Sequence, residues 1–283
     1  MGTEARRLTA AELRAVGEAG GFFTLLAAPP APGRYAPLTR AYALRPTACS
    51  PGPDPALNPH PAPNPDPKPG TDPHPDPDSP LAVRVARVAE GLRTREYRVA
   101  ASLVQLGLAA RLWSVTLGSA ALHGVFPDVS PGTLHWDPTR STPDELWWSG
   151  TATRPGTARE LREAVQYGHL GPLGDALRAA GPVSPRLLRG NAGSALGGAV
   201  REFTRWAHRQ GRADAAERAA VLAAELLDHP DLAGTLRGPT LRRRTCCLYY
   251  RCPGGGLCGD CVFDAPPGSA AAGPRLAGGG SAP

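Results

Sequence analysis

The stretch VRVARVAEGLRTREYRVAASLVQLGLAARLWSVTLGSAAL, residues 83–122, decides the fold. Apolar residues recur three and four apart along it, the spacing that lines one face of an α-helix. Residues 81–123 therefore read as strongly helical and as the largest block of core-forming sequence. From Val99 to Leu122 the run is long enough for a membrane span, which needs about 20 apolar residues. Gln105 and Arg111 stand inside it, however, and an arginine in lipid is expensive. Buried helices of a soluble domain are expected, with no transmembrane segment.

Beyond HGVFPD, residues 123–128, the stretch LHWDPTRSTPDELWWSG, residues 134–150, reads as two short strands around a Pro/Asp/Ser turn. Trp136, Trp147 and Trp148 are expected to cover one edge of the helical core, in preference to forming a stacking platform for an aromatic ligand. Helices follow at 157–165, where Thr157 and Glu160 form a capping box, and at 185–209, capped by Ser184 with Pro185 in the first turn. A further helix is predicted at 214–228, with Asp214 and Glu217 at its start. On the N-terminal side, residues 9–27 show a helix capped by Thr9 and broken at Gly20 and Gly21. Proline at nearly every second position from 50 to 80 excludes helix and sheet interior, leaving an extended, solvated insertion. Its histidines and aspartates could hold iron loosely, but a plain linker is the preferred reading.

The expected fold is mainly α (α+β), with one small β-hairpin element. Its parts are an N-terminal helical segment (1–49), a Pro/Asp-rich disordered insertion (50–80), a helical domain (81–236), a cysteine-rich segment (237–264) and a disordered tail (265–283).

At 283 residues the chain has room for one large domain or two modest ones. The formal charge of +6 comes from arginine, since Lys68 is the only lysine. With abundant Ala, Gly and Pro, that imbalance reflects a GC-rich coding bias more than a basic binding surface. The arginines are scattered, not interleaved with aromatic residues on one face, so no nucleic-acid partner is indicated.

Five of the six cysteines stand in TCCLYYRCPGGGLCGDC, residues 245–261. Only Cys49 lies elsewhere, whereas a secreted scaffold spreads its cysteines through the fold. A reducing compartment and a local metal or redox site follow. The N-terminus shows no export signal, and a cytoplasmic location is expected.

Thiolates select zinc, copper(I) or iron–sulfur centres, and four suffice for zinc or a 2Fe-2S cluster. A zinc ribbon offers two C-x-x-C knuckles; here there is one, Cys258 with Cys261, preceded by the adjacent pair Cys246 and Cys247. Neighbouring side chains on an extended chain point apart, which suits a wider two-iron core better than one ion. The run Pro253–Gly256 lets the backbone turn and approach closely, placing its amides to tune a cluster or merely returning the chain. Arg242, Arg243, Arg244 and Arg251 either favour a reduced, more negative cluster or form a solvated basic face.

The order C-C-x10-C-x-x-C, in an RRxCCLYYR…GGGLCGDC setting, resembles the ferric-siderophore reductase family typified by FhuF. Residues 95–128, REYRVAASLVQLGLAARLWS through LHGVFPD, and residues 187–196, LLRGNAGSAL, are similar to that family as well. The resemblance implies that Cys246, Cys247, Cys258 and Cys261 hold a 2Fe-2S cluster, with no catalytic residue beyond these ligands. It further implies one-electron reduction of siderophore-bound ferric iron, releasing the metal for cell use, at or near the inner face of the membrane. The ferric siderophore is then the substrate, with its binding residues unassigned. No G-x-G-x-x-G follows a strand, so a separate ferredoxin or flavoprotein donor is implied. Cys252 is an extra cysteine within the motif, and Cys247, Cys252, Cys258 and Cys261 form a rival ligand set. A zinc-stabilised binding module and an iron–sulfur redox sensor without reductase activity are the alternatives; no helix-turn-helix supports a regulator.

Overall fold

The computed structural model describes residues 6–28, 34–43, 79–141 and 146–267. Cys49, the proline-rich run up to residue 78 and the tail from 268 onward lie outside the described residues.

The block at 81–123 forms two helices, α3 (Pro80–Gly91) and α4 (Tyr97–His123). Ser79 caps α3 by accepting from the Ala82 amide, and Pro80 sits in the first turn, where its missing N–H is no loss. The chain breaks at 92–96, with Arg93 in the left-handed region at φ 51°. α4 is apolar or small on every side, the pattern of a helix buried all round. Val99, Ala100, Ala109, Trp113 and Leu117 have no exposed surface. By length and composition α4 could cross a membrane, yet 78% of its most apolar window is buried inside the protein. Two of its polar residues reach main-chain carbonyls of other elements: Arg111 Nη1 donates to the Gly21 carbonyl at 2.5 Å, and Gln105 Nε2 to that of Leu188 at 3.2 Å.

α4 packs most extensively on α7 (Pro185–Arg209), and also on α3 and α8 (Ala213–Asp228). α7 begins as predicted, with the Ser184 hydroxyl accepting from the Leu187 amide. The start of α8 differs. Arg212 is its N-cap, without a side-chain bond, and Asp214 lies in the first turn, paired with Arg218 at 2.9 Å. α5 (Ala158–Arg162) keeps half of its capping box: Thr157 accepts from the Glu160 amide, while the Glu160 carboxylate goes to Arg154 at 2.7 Å. From there the helix continues through a π-helical turn (Glu163–Leu170) into α6 (Gly171–Ala180). Gly168, Gly171, Pro172 and Gly174 hide this continuation from propensity, since each weakens a helix in isolation.

The hairpin expected at 134–150 forms as β4 (Leu134–Trp136) and β5 (Leu146–Trp148), with His135 opposite Trp147. β1 (Leu25–Leu26) adds parallel to β5, and β2 (Ala36–Pro37) antiparallel to β4, giving the order β1-β5-β4-β2. The N-terminal segment, with α1 (Ala10–Gly17) and α2 (Leu38–Tyr42), therefore builds onto the same sheet and core as the helical domain. Its strands are two residues long, too short to show alternation. β3 (Val125–Pro127) and β6 (Thr153–Pro155) form a second ribbon. Side chains alternate along a strand, so the three tryptophans do not share a face. Trp136 and Trp148 enter the core, while Trp147 turns away and stacks on His135 at 4.3 Å between ring centroids.

The π-turn carries His169 into the interior, where it has no exposed surface. Its Nε2 donates to the Val129 carbonyl at 2.5 Å, which leaves Nδ1 to accept from the Tyr42 hydroxyl at 2.8 Å. Burial lowers its pKa from 6.5 to about 4. Between these values the unfolded chain binds the extra proton, so stability rises with pH there. The contribution is whole above pH 6.5 and falls as pH drops, until the folded state itself protonates near pH 4. At pH 5 the loss relative to pH 7 is about 2 kcal/mol. Urea unfolding at the two pH values should show that difference in the natural chain and a clearly smaller one in His169→Gln. An unchanged difference would remove His169 as its source.

Candidate metal centre

After α8 the chain makes a short hairpin, β7 (Leu236–Arg237) and β8 (Arg242–Arg243), turned by Gly238 and Leu241 at positive φ. β8 delivers the chain directly to Cys246. The cysteine loop then folds back on β8, where the Arg243 amide donates to the Asp260 carbonyl at 3.0 Å.

Cys247, Cys252 and Cys261 are buried, Cys246 and Cys258 half-buried, and all five are free thiols. The sulfurs of Cys247 and Cys258 stand 3.8 Å apart. Two thiolates on one tetrahedral metal at about 2.3 Å are separated by about that distance. Cys246 accepts from the Leu248 amide at 3.2 Å, and Leu248 reaches this position with a left-handed φ of 71°. Hydrogen bonding from Cys247 lowers the Cys246 thiol to about 7, against its own desolvation and helped by the Leu248 amide and Arg243. The same contact raises Cys247, and Cys258 is pushed up by its bond to Cys247 and by burial. Cys261 also acts electrostatically on Cys246. Cys252 stands apart: burial and the charge of Glu96 raise it, and no other thiol is among the causes. Among the described residues no three metal-binding side chains converge on a single ion.

The glycines explain the loop's shape. Gly254 has φ 73°, which glycine adopts without strain, and a Cβ on Gly255 would come within 2.2 Å of the Tyr249 carbonyl oxygen.

The stretch 187–196 is the seat on which the loop rests. A Cβ on Gly190 would lie 1.8 Å from Thr245 Oγ1, so that glycine admits the cysteine segment against α7, and one on Gly193 would lie 2.1 Å from Thr235 Oγ1, on the chain leading into β7. Asn191 donates from Nδ2 to the Ser102 carbonyl and hydroxyl, each at 3.0 Å, and Ser102 donates to the Cys247 carbonyl at 2.8 Å. Ser194 donates to the Asp260 carboxylate at 2.6 Å. Sequence reasoning noted residues 95–128 and 187–196 but gave Ser102, Asn191 and Ser194 no role; polar residues among the small and apolar residues of these helices were the signal.

Three of the four nearby arginines have structural work. Arg242 donates to the Cys261 carbonyl at 2.7 and 3.0 Å and pairs with Asp264 at 2.8 Å. Arg244 leans on the Leu236 carbonyl, and Arg251 pairs with Glu96 at 2.8 Å, tying the loop to the start of α4. Arg243 differs, for it is fully buried, with Nη2 donating to Asn191 Oδ1 and with Nε and Nη1 lacking any partner. A buried, half-satisfied cation beside a set of thiols fits an anionic group bound there, as an all-thiolate 2Fe-2S cluster is.

Residues 243–263 match the family model of the FhuF 2Fe-2S C-terminal domain. That match, confined to the cysteine segment, supports an FhuF-like iron–sulfur protein and implies a 2Fe-2S cluster. No curated protein matches the chain.

Proposed function

We propose that the chain reduces siderophore-bound ferric iron by one electron, with Cys246, Cys247, Cys258 and Cys261 as the cluster ligands. The bound cluster supplies a one-electron carrier between an external donor, a ferredoxin or flavoprotein, and the ferric centre. The ferrous product is held more weakly by oxygen donors and leaves the chelate.

One observation carries this reading. Cys246 faces a cleft of about 610 Å³, bounded by Arg98 at the start of α4, Ser184, Arg186 and Leu187 at the start of α7, and Thr245 and Leu248 of the loop. A chelate seated there would stand against a cysteine of the motif without covalent chemistry or a proton relay. The rim is cationic. Arg98 and Arg251 share Glu96, which neutralises one of them, and Arg186 is exposed with no carboxylate at pairing distance among the described residues.

Electrostatics of this sign accelerate the arrival of anions and weaken with salt. The test uses ferric trihydroxamates that share one iron centre and differ in a terminal ammonium, acetamide or succinamate group. Anaerobically reduced protein should be reoxidised fastest by the anionic member, with the order flattened by salt and inverted in Arg186→Glu. A charge-independent rate would remove the cleft from the account. Failure of all three chelates to reoxidise the protein would overturn the assigned substrate class.

A further inference from the structure

We propose that Arg243 is the internal counter-charge of the cluster, a positioning residue that couples cluster binding to the fold and favours the reduced state. The proposal rests on the cluster alone and is independent of the electron acceptor. Arg243 lies at the end of β8 with no exposed surface, and no carboxylate lies within pairing distance among the described residues. The acid of the loop, Asp260, is engaged by Ser194 instead. An uncompensated buried charge costs several kcal/mol, so a fold that retains one has an anion to set against it. Around this guanidinium the protein supplies one neutral acceptor, Asn191 Oδ1, and leaves Nε–H and Nη1–H undirected to any protein atom.

The cysteine loop begins directly after Arg243: Cys246 and Cys247 stand three and four residues further on, and the Arg243 amide donates to the carbonyl of Asp260, the neighbour of Cys261, at 3.0 Å. The orientation of the Arg243 side chain is imposed from the core: Asn191 of α7 holds the guanidinium, Ser102 of α4 holds Asn191, and the same Ser102 holds the Cys247 carbonyl. An all-thiolate 2Fe-2S cluster carries about two negative charges when oxidised and about three when reduced. A fixed cation at low dielectric therefore stabilises both states, and the reduced state more. Without the cluster the same cation only destabilises. A residue kept for packing alone would show neither asymmetry.

The experiment compares Arg243→Met and Arg243→Lys with the natural full-length protein. Potentiometric titration followed by electron paramagnetic resonance should show that Arg243→Met lowers the equilibrium constant for reduction at least about tenfold, 59 mV for one electron. Arg243→Lys should fall between Met and the natural protein. Iron-free Arg243→Met should melt at or above the temperature of the iron-free natural chain, because an apolar side chain replaces an uncompensated charge. A midpoint within twofold of the natural equilibrium constant would overturn the proposal. If Arg243→Met holds no cluster, the iron-free melts decide: a rise supports the counter-charge role, and a fall assigns Arg243 to packing.

Discussion

Cys246→Ala, Cys247→Ala, Cys258→Ala and Cys261→Ala should each purify without the reduced-state electron paramagnetic resonance signal, while Cys252→Ala keeps both iron and signal. Neither alanine nor serine replaces a thiolate's softness, so losing one ligand would leave an iron with an open position. Cys252 occupies a different environment. Its amide donates to the Tyr249 carbonyl and its carbonyl accepts from Gly255, so the backbone at 252 shapes the glycine turn whatever side chain it carries. Its sulfur is buried beside Glu96, which disfavours a thiolate. Bound iron and the spectrum of every variant settle the point. Should Cys252→Ala empty the site while Cys246→Ala stays normal, the ligands would be Cys247, Cys252, Cys258 and Cys261. Partial loss in both would make Cys252 a substitute ligand, with two spectral forms.

Gly190→Ala should also deprive the protein of its cluster, although residue 190 is on α7 and binds no metal. The added methyl would stand 1.8 Å from Thr245 Oγ1 and 3.0 Å from Thr245 Cβ, so the loop must lift from the helix just before Cys246. Overpacking of this kind costs about 1–3 kcal/mol, and here the strain falls on the segment that carries the ligands. Gly198→Ala is the control on the same helix, since its nearest neighbour is the flexible end of Arg201 at 3.9 Å. That change should be neutral or stabilising by up to about 1 kcal/mol through helix propensity. Thr245→Ala combined with Gly190→Ala removes the closest clash and should restore part of the iron. Iron content and thermal midpoint of the four proteins test the set; full iron in Gly190→Ala would mean that the loop does not depend on close seating against α7.

Much of the helical frame was legible because it obeys short-range rules. Ser184 with Pro185 marks the start of α7, and Thr9 with Glu12 forms a complete capping box at α1. Where a side chain had a stronger partner elsewhere, the local rule failed. Glu160 left its cap for Arg154, and Asp214 paired with Arg218. Three tryptophans near one turn do not disclose which of them faces inward; the register, with His135 opposite Trp147, sends Trp147 outward. β1 and β2 are too short to carry a pattern, and only their pairing with β5 and β4 makes them strands.

By itself, the sequence determined the chemistry of this protein: a mainly helical chain whose cysteine order marks a 2Fe-2S segment, because thiol number and spacing are covalent facts. Only the tertiary structure decided how that chemistry is housed. Four arginines near the cysteines look alike in one dimension, yet Arg242, Arg244 and Arg251 bind carbonyls and carboxylates while Arg243 is enclosed with two unpaired donors. Burial is a property of what packs around a residue. In the same way Gly190, Asn191 and Ser194 acquire their meaning from a loop some 50 residues later in the chain, which chain folding alone brings to α7.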